Sequence, residues 1–191
     1  MFDSNTDLNK VATNDLFTEI LKRYVDDPNG MPRMGTAPLE AFMLALSLTP
    51  VANVEVVIRN DQGHVLMTYR GDADFTGWHF PGGLISFGEN IENSCKRVAF
   101  KEVKSDVNNF QVIGIINNSD LEKDKRHYKG HPFSNHFIAI VVTCDLIGDF
   151  EESDKEKFFN PTNDMPIGIL PCHVPVWQIL QVGNPVSVIN Y

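Results

Sequence analysis

An α/β or α+β domain is the fold class this chain predicts, and three observations carry it. Short β-rich runs recur at Val54–Ile58, Val65–Tyr69, Gln111–Ile116 and Phe137–Thr143. Helical apolar spacing recurs between and around them, most clearly over Glu89–Val103. The 191 residues are 42% apolar and include 13 Phe, enough for one domain with its own core.

Taken in order, Asp15–Val25 sets Leu16, Phe17, Ile20, Leu21 and Tyr24 on one helical face, and Asp26-Asp27-Pro28-Asn29-Gly30 ends that helix. Met31–Thr36 reads as a linker. A second helix is predicted from Pro38, a residue suited to a first turn, to Leu48, with Thr49-Pro50 stopping it. Residues 1–36 are therefore assigned to a helical extension and linker, and 37–191 to the main domain. Asn60-Asp61-Gln62-Gly63 joins the first two β-rich runs as a hairpin. Beyond Arg70 comes a polar loop, then Trp78-His79-Phe80-Pro81-Gly82-Gly83 and the helix over Glu89–Val103. Asn117–Pro132 reads as a long polar loop, Glu151–Lys157 as a charged stretch, and Pro175–Gln181 as a short final helix.

The net charge of −9 and pI near 5 give a field that repels nucleic acid and anionic membrane, so neither is expected as a partner. A small phosphorylated substrate needs a bound cation and a few placed Arg or Lys in such a field. Cys95, Cys144 and Cys172 have no metal-ligand spacing, and a sparse odd count suits a reducing compartment. The first residues lack the basic and then apolar pattern of a signal peptide, and Ala41–Ile58 is broken by Pro50, Asn53 and Glu55. A cytoplasmic location is expected.

The informative segment is Gly82–Glu102. Two glycines after a proline let the backbone bend and approach a ligand closely. The following helix carries Ile91, Cys95, Val98 and Ala99 on one face. Glu102 falls on that same stripe, about 20° from Ile91 at about 100° per residue. A carboxylate there is costly unless paired or bound to a metal. Arg97 can pair with Glu89 and fix the glycine loop to the helix.

These residues resemble the Nudix hydrolase signature, G-x5-E-x7-R-E-U-x-E-E-x-G-U with U a bulky aliphatic residue. Gly83, Glu89 and Arg97 match it without a gap, and the preceding Trp-x-Phe-Pro-Gly-Gly run is also similar to that family. The resemblance covers roughly Pro50 to Leu170. It implies a mixed sheet between helices, an α/β/α sandwich, and hydrolysis of a nucleoside diphosphate linked to another group. Magnesium is the implied cofactor, with manganese as the alternative. The chain departs from the signature where Val98 follows Arg97, where Lys101 precedes Glu102, and where Lys104 replaces the last glycine. Only Glu102 remains of the three helix carboxylates, so a single partly hydrated ion is expected.

That reduced pattern resembles the GDP-mannose mannosyl hydrolase branch, which attacks the sugar carbon while magnesium stabilises the departing nucleoside diphosphate. The branch resemblance implies a diphosphate clamp at Arg70 and an inward acid at Glu55 after Ser47-Leu48-Thr49-Pro50. It implies metal ligands at the Gly82 carbonyl, Glu102 and, more weakly, Glu152, and it favours a homodimer. The branch's general-base histidine falls here on Ser153, which is no base at neutral pH. Glu152 or a loop histidine (His127, His131 or His136) is the expected substitute. The catalytic set expected is thus Glu102, Glu152 and Arg97.

Each assignment has a plainer counterpart. Glu102 could be a solvated helix end, Arg70 a surface residue, Glu55 a water-facing acid, and Glu151–Lys157 a solvated turn. His79, between Trp78 and Phe80, reads as a packing residue. Glu89 with Arg97 reads as structural. Two rivals to a nucleotide-sugar hydrolase follow: attack at phosphorus, as in ADP-ribose or nucleoside-triphosphate cleavage, and a non-catalytic nucleotide-binding module.

Overall fold

The computed structural model describes residues 49–71, 75–86, 88–118, 127–128, 131–132, 136–182 and 187–190. Both helices expected before Pro50, the linker between them, and most of the 117–132 loop lie outside the described residues. The strands are β1 (Val51–Arg59), β2 (Val65–Gly71), β3 (Thr76–His79), β4 (Gly82–Leu84), β5 (Asp106–Asn118), β6 (His127–Tyr128), β7 (His131–Pro132), β8 (Phe137–Ile147), β9 (Glu156–Phe159) and β10 (Ser187–Asn190). The helices are α1 (Ile91–Val103) and α2 (Val174–Val182), the latter entered through a 3₁₀ turn at Pro171–His173.

Eight of these strands form one mixed sheet, ordered β10-β5-β8-β1-β2-β3, with β4 added to β1 and β9 added to β2. Strand β1 runs parallel to β8 over its whole length, from Val51 beside Phe137 to Arg59 beside Asp145. A strand so enclosed reads as a continuous apolar run, and Val54–Ile58 are all buried.

Alternation of side chains splits this strand between two cores. Val54, Val56 and Ile58 pack with Leu66 against Cys95, Val98, Ala99 and Val103 of α1. Val57 packs with Val65, Met67 and Val141 against Val176, Trp177 and Ile179 of α2. Each fully buried valine contributes roughly 1.5–3 kcal/mol. The layers are helix, sheet and helix, as the sequence resemblance implies, and the fold is α+β.

Six strands go beyond the sequence expectation, among them the two-residue pair β6 and β7 within the 117–132 segment. β3 and β4 form at the two ends of the Trp78–Gly83 motif, β9 at the end of the charged stretch, and β10 beyond the final helix, where it pairs parallel to β5. Short polar strands such as Glu156–Phe159 carry little periodicity of their own. They are held by partners, here Val65–Thr68 of β2.

The sheet forks at its centre. β2 pairs with β1 at Arg59 and Val65, near the Asn60 hairpin. Beyond that point the segment 76–84 fills the widening gap. Its first half pairs with β2, from Thr68 beside His79 to Gly71 beside Thr76. Its second half pairs with β1, with Glu55 beside Gly82 and Asn53 beside Leu84. The Val56 amide donates to the Pro81 carbonyl at 2.8 Å across the crossing point.

Helix α1 starts at Asn90, whose side chain accepts from the Asn93 amide at 2.8 Å, an N-cap bond. It ends at Lys104, whose backbone is left-handed with φ 55°. This is where the family signature has glycine, the residue that takes that conformation without penalty. Lys104→Gly is therefore expected to stabilise the domain by roughly 0.5–1 kcal/mol. A urea midpoint that fails to rise would contradict this account of the helix end.

Candidate active site

The glycine turn is bound to α1 by one carboxylate. Arg97 donates to Glu89 as a fork, from Nε to Oε1 at 2.8 Å and from Nη2 to Oε2 at 2.7 Å. The same Nη2 donates to the Leu84 carbonyl at 2.8 Å. Glu89 Oε2 also accepts from the Ser94 hydroxyl at 2.7 Å and from the Ser86 amide at 3.1 Å. Charge-assisted bonds of this number favour the ionised carboxylate. The hydrogen-bonded Arg97 holds the Glu89 carboxyl well below its usual range, at about 2, against the opposing effect of partial burial. These contacts are those of a brace between turn and helix.

A Cβ on either glycine would meet a close neighbour. A Cβ on Gly82 would lie 2.7 Å from Glu55 Oε2, and one on Gly83 would lie 3.1 Å from Val98 Cγ2. The first contact means that the Glu55 carboxylate rests on the Gly82 backbone. Gly82→Ala is expected to cost roughly 1–2 kcal/mol by overpacking and to push that carboxylate out of its seat. Thermal unfolding measures the first effect and divalent-cation titration the second. Wild-type values for both would show that the seat is unimportant.

Glu55 is buried, 8% exposed. Asn53 donates to its Oε1 at 2.9 Å, while Oε2 has no hydrogen-bond partner. Burial, and next the charge of Glu102, push its pKa well above the ordinary carboxylate range, with the Asn53 bond opposing. His173 Nδ1 lies 3.4 Å from Glu55 Oε2 and also lacks a hydrogen-bond partner. Burial, and then the nearby His79, push His173 down to about 3. Both groups are driven toward their neutral forms, so this contact is not an ion pair despite its length.

Glu102, at the end of α1, has a side chain 22% exposed, and its Oε2 lies 3.7 Å from His79 Nε2. The His79 and His173 rings are 5.7 Å apart. Glu55, Glu102, His79 and His173 thus gather at the fork, brought from β1, α1, β3 and the turn before α2. A carboxylate oxygen that is buried and unpartnered, beside a second acid and a glycine backbone, suits a divalent cation, which would supply the missing counter-charge. Glu102, Glu55 and the Gly82 carbonyl are the groups able to hold it. Among the described residues, no three His, Cys, Asp or Glu side chains already surround one point at coordination distance.

The departures from the signature have plain structural consequences. Val98 is 1% exposed in the core beneath α1, and Lys101 is exposed. Neither position offers an oxygen ligand from its side chain.

Arg70 lies at the end of β2, opposite Gly77 and on the same face as Thr68, whose hydroxyl touches the His79 ring. Its guanidinium stands 4.5 Å from the centre of the Phe75 ring. That puts a cation on the rim of the fork, two residues from Thr68.

Glu152 is elsewhere. Its Oε1 accepts from the Phe158 amide at 2.7 Å, and no described contact joins it to Glu102 or Glu55. With Asn60, Asp61, His64 and Asp149 it lines an open hollow of about 430 Å³ toward the β1–β2 hairpin. These contacts engage one Glu152 oxygen at the β9 backbone, and its expected role as ligand or base stays an expectation. Among the loop histidines, His136 bonds Asn117 at 3.0 Å. The side chains of His127 and His131 lie outside the described residues.

Sequence reasoning passed over two of the four fork residues. His79 had a usable signal, because Trp78 and Phe80 both enter the α2-side core and alternation sends the residue between them to the other face. His173 had none, since only the tertiary fold carries Pro171–His173 to Glu55.

Comparison with known proteins follows the same line. A family model described as NUDIX domain matches residues 49–164. The low-salt glycan biosynthesis protein Agl8 of Haloferax volcanii is 27% identical over 133 residues, covering 65% of this chain and 80% of its own. A MutT protein from Bacillus halodurans superposes with TM-score 0.55 at 14% identity, over 74% of this chain and 90% of that one. A NUDIX hydrolase from Nitrosomonas europaea gives TM-score 0.55 at 16% identity, over 75% and 80% of the two chains. A UDP-X diphosphatase gives 0.51 at 15% identity, over 94% and 76%. At such identities the superpositions speak to the fold.

Proposed function

Given that the chain belongs to the Nudix family, we propose that it hydrolyses a nucleoside diphosphate linked to another group, with a nucleotide sugar as the substrate class and magnesium or manganese as the ion. The observation that carries this reading is the meeting of Glu102, Glu55 and the Gly82 backbone at the fork. Glu102 and the Gly82 carbonyl hold the ion, and Glu55 lies against that carbonyl's residue. When bound, the ion supplies charge stabilisation to the departing nucleoside diphosphate. Arg70 takes the diphosphate from the rim, where a guanidinium can bind two phosphate oxygens at once. Glu89 and Arg97 keep the glycine turn in register with α1, so Arg97 acts by positioning. Glu152 has no part in this scheme.

Two observations support a sugar substrate. Val98 and Lys101 leave fewer carboxylates than multi-metal attack at phosphorus uses, and attack at carbon needs fewer ions. The Haloferax relative is named for glycan biosynthesis. A panel of nucleotide sugars, dinucleotides and nucleoside triphosphates tests the proposal, run with the full chain in heavy-oxygen water. Label in the released sugar marks attack at carbon. Label in a phosphate marks attack at phosphorus and overturns the sugar-carbon reading.

The same two replacements favour one alternative, a nucleotide-binding module without turnover. In that case nucleotides raise the melting temperature while cation-dependent product release stays at background. A cytoplasmic homodimer, with residues 1–36 as an extension to a domain spanning 37–191, completes the proposal.

A further inference from the structure

We propose that His79 is a nitrogen ligand of the ion bound at Glu102, and that it raises the affinity of this centre for manganese and cobalt ions relative to magnesium. The inference rests on the reading that Glu102 binds the cation.

The geometry is that of two neighbouring ligands awaiting an ion. Adjacent ligands about 2.2 Å from a metal, subtending roughly 90–110°, stand about 3.1–3.6 Å apart. His79 Nε2 and Glu102 Oε2 stand 3.7 Å apart. That is too long for a hydrogen bond and close to the spacing of a coordinated pair. His79 is 17% exposed on its side chain, so the pair is not a loose surface contact.

Thr68 explains how the ring is presented. Its hydroxyl lies 3.1 Å from Nε2 and 3.4 Å from Nδ1, so it packs on the ring with Nε2 as its nearer partner. An ion at Glu102 would take the Nε2 lone pair in place of that rotatable hydroxyl.

Chemistry then sets the preference. Magnesium takes oxygen ligands and gains little from imidazole, whereas first-row transition ions bind nitrogen strongly. Val98 and Lys101 remove the oxygen ligands that would favour magnesium, and His79 adds a nitrogen in the same cleft.

Pulsed electron paramagnetic resonance of the full chain loaded with manganese reads the bond directly, through nitrogen modulation of the electron spin echo. Wild type is expected to show imidazole-nitrogen coupling, and His79→Gln to lose it, with His79→Asn used if the glutamine variant does not fold. Calorimetric titration should show manganese and cobalt affinity falling about tenfold in the variant, with magnesium affinity within about twofold of wild type. Manganese bound without nitrogen coupling in wild type overturns the proposal, as does coupling that persists in a folded His79 variant. Glu102→Gln separates the two readings: unchanged manganese binding in that variant removes the Glu102 site itself, whereas lost binding with no wild-type nitrogen coupling removes only the role of His79.

Discussion

Glu102→Gln is expected to lower cation-dependent hydrolysis of the best nucleotide substrate by about three orders of magnitude. Of the three signature positions that carry carboxylates on this helix, Val98 is in the core and Lys101 is a cation, so Glu102 is the helix's one remaining signature oxygen ligand. Losing an ion's charge stabilisation forfeits several kcal/mol of barrier lowering, and each decade of rate is about 1.4 kcal/mol. The fold should survive, because Glu102 is partly exposed and its one described side-chain contact is His79. Initial rates across the panel, with thermal unfolding as the control on folding, make the measurement. A variant that folds and retains activity within about threefold of wild type would remove Glu102 from the chemistry.

The second large effect falls on stability. Glu89 is held at about 2 in the folded protein against an ordinary 4.5. The group is depressed, so its stabilisation is fully present above pH 4.5. It is lost progressively as pH falls from there toward 2, where the folded carboxyl also takes its proton. A gap of about 2.5 at roughly 1.4 kcal/mol each gives about 3 kcal/mol. The full value is reasonable because Glu89 and Arg97 are only 15% and 25% exposed and bond as a fork. Glu89→Gln should therefore destabilise the domain by about 3 kcal/mol at neutral pH, through a guanidinium left with no charged partner. It should also flatten the acid limb of the stability curve below pH 4.5. Chemical denaturation between pH 2 and 7 reads both. Parallel acid limbs for variant and wild type would show that Glu89 does not carry this linkage.

Much of this site was legible from spacing alone. Gly83, Glu89 and Arg97 stand at intervals that make sense only if a turn is tied to the first two turns of a helix, and the four bonds to Glu89 and that of Arg97 to Leu84 make that tie. Glu102 could be found because it ends an apolar stripe where a carboxylate is out of place. Alternation along the strand leaves Glu55 open between cleft and solvent. The pairing of β1 with β4 buries it beside Gly82, whose lack of a side chain leaves room for the carboxylate.

Glu152 shows the opposite case. Its position in a charged run suggested a role that depended on where the run folds. Only the last two residues of the run enter β9, which pairs with β2, while the Glu152 carboxylate before it accepts from the Phe158 amide. No periodicity marks such a strand beforehand, because it exists only through its partner.

The sequence by itself determined the β-rich run Val54–Ile58, the brace between turn and helix, and the family those residues signal. All of these are local matters of spacing, alternation and charge within about twenty residues. The fork in the sheet, and with it the meeting of His79, His173, Glu55 and Glu102, was decided only by the tertiary structure. Its physical reason is that β1 gives up β2 as a neighbour and takes β4 instead. Where a strand exchanges one partner for another, the gap that opens belongs to no single stretch of chain.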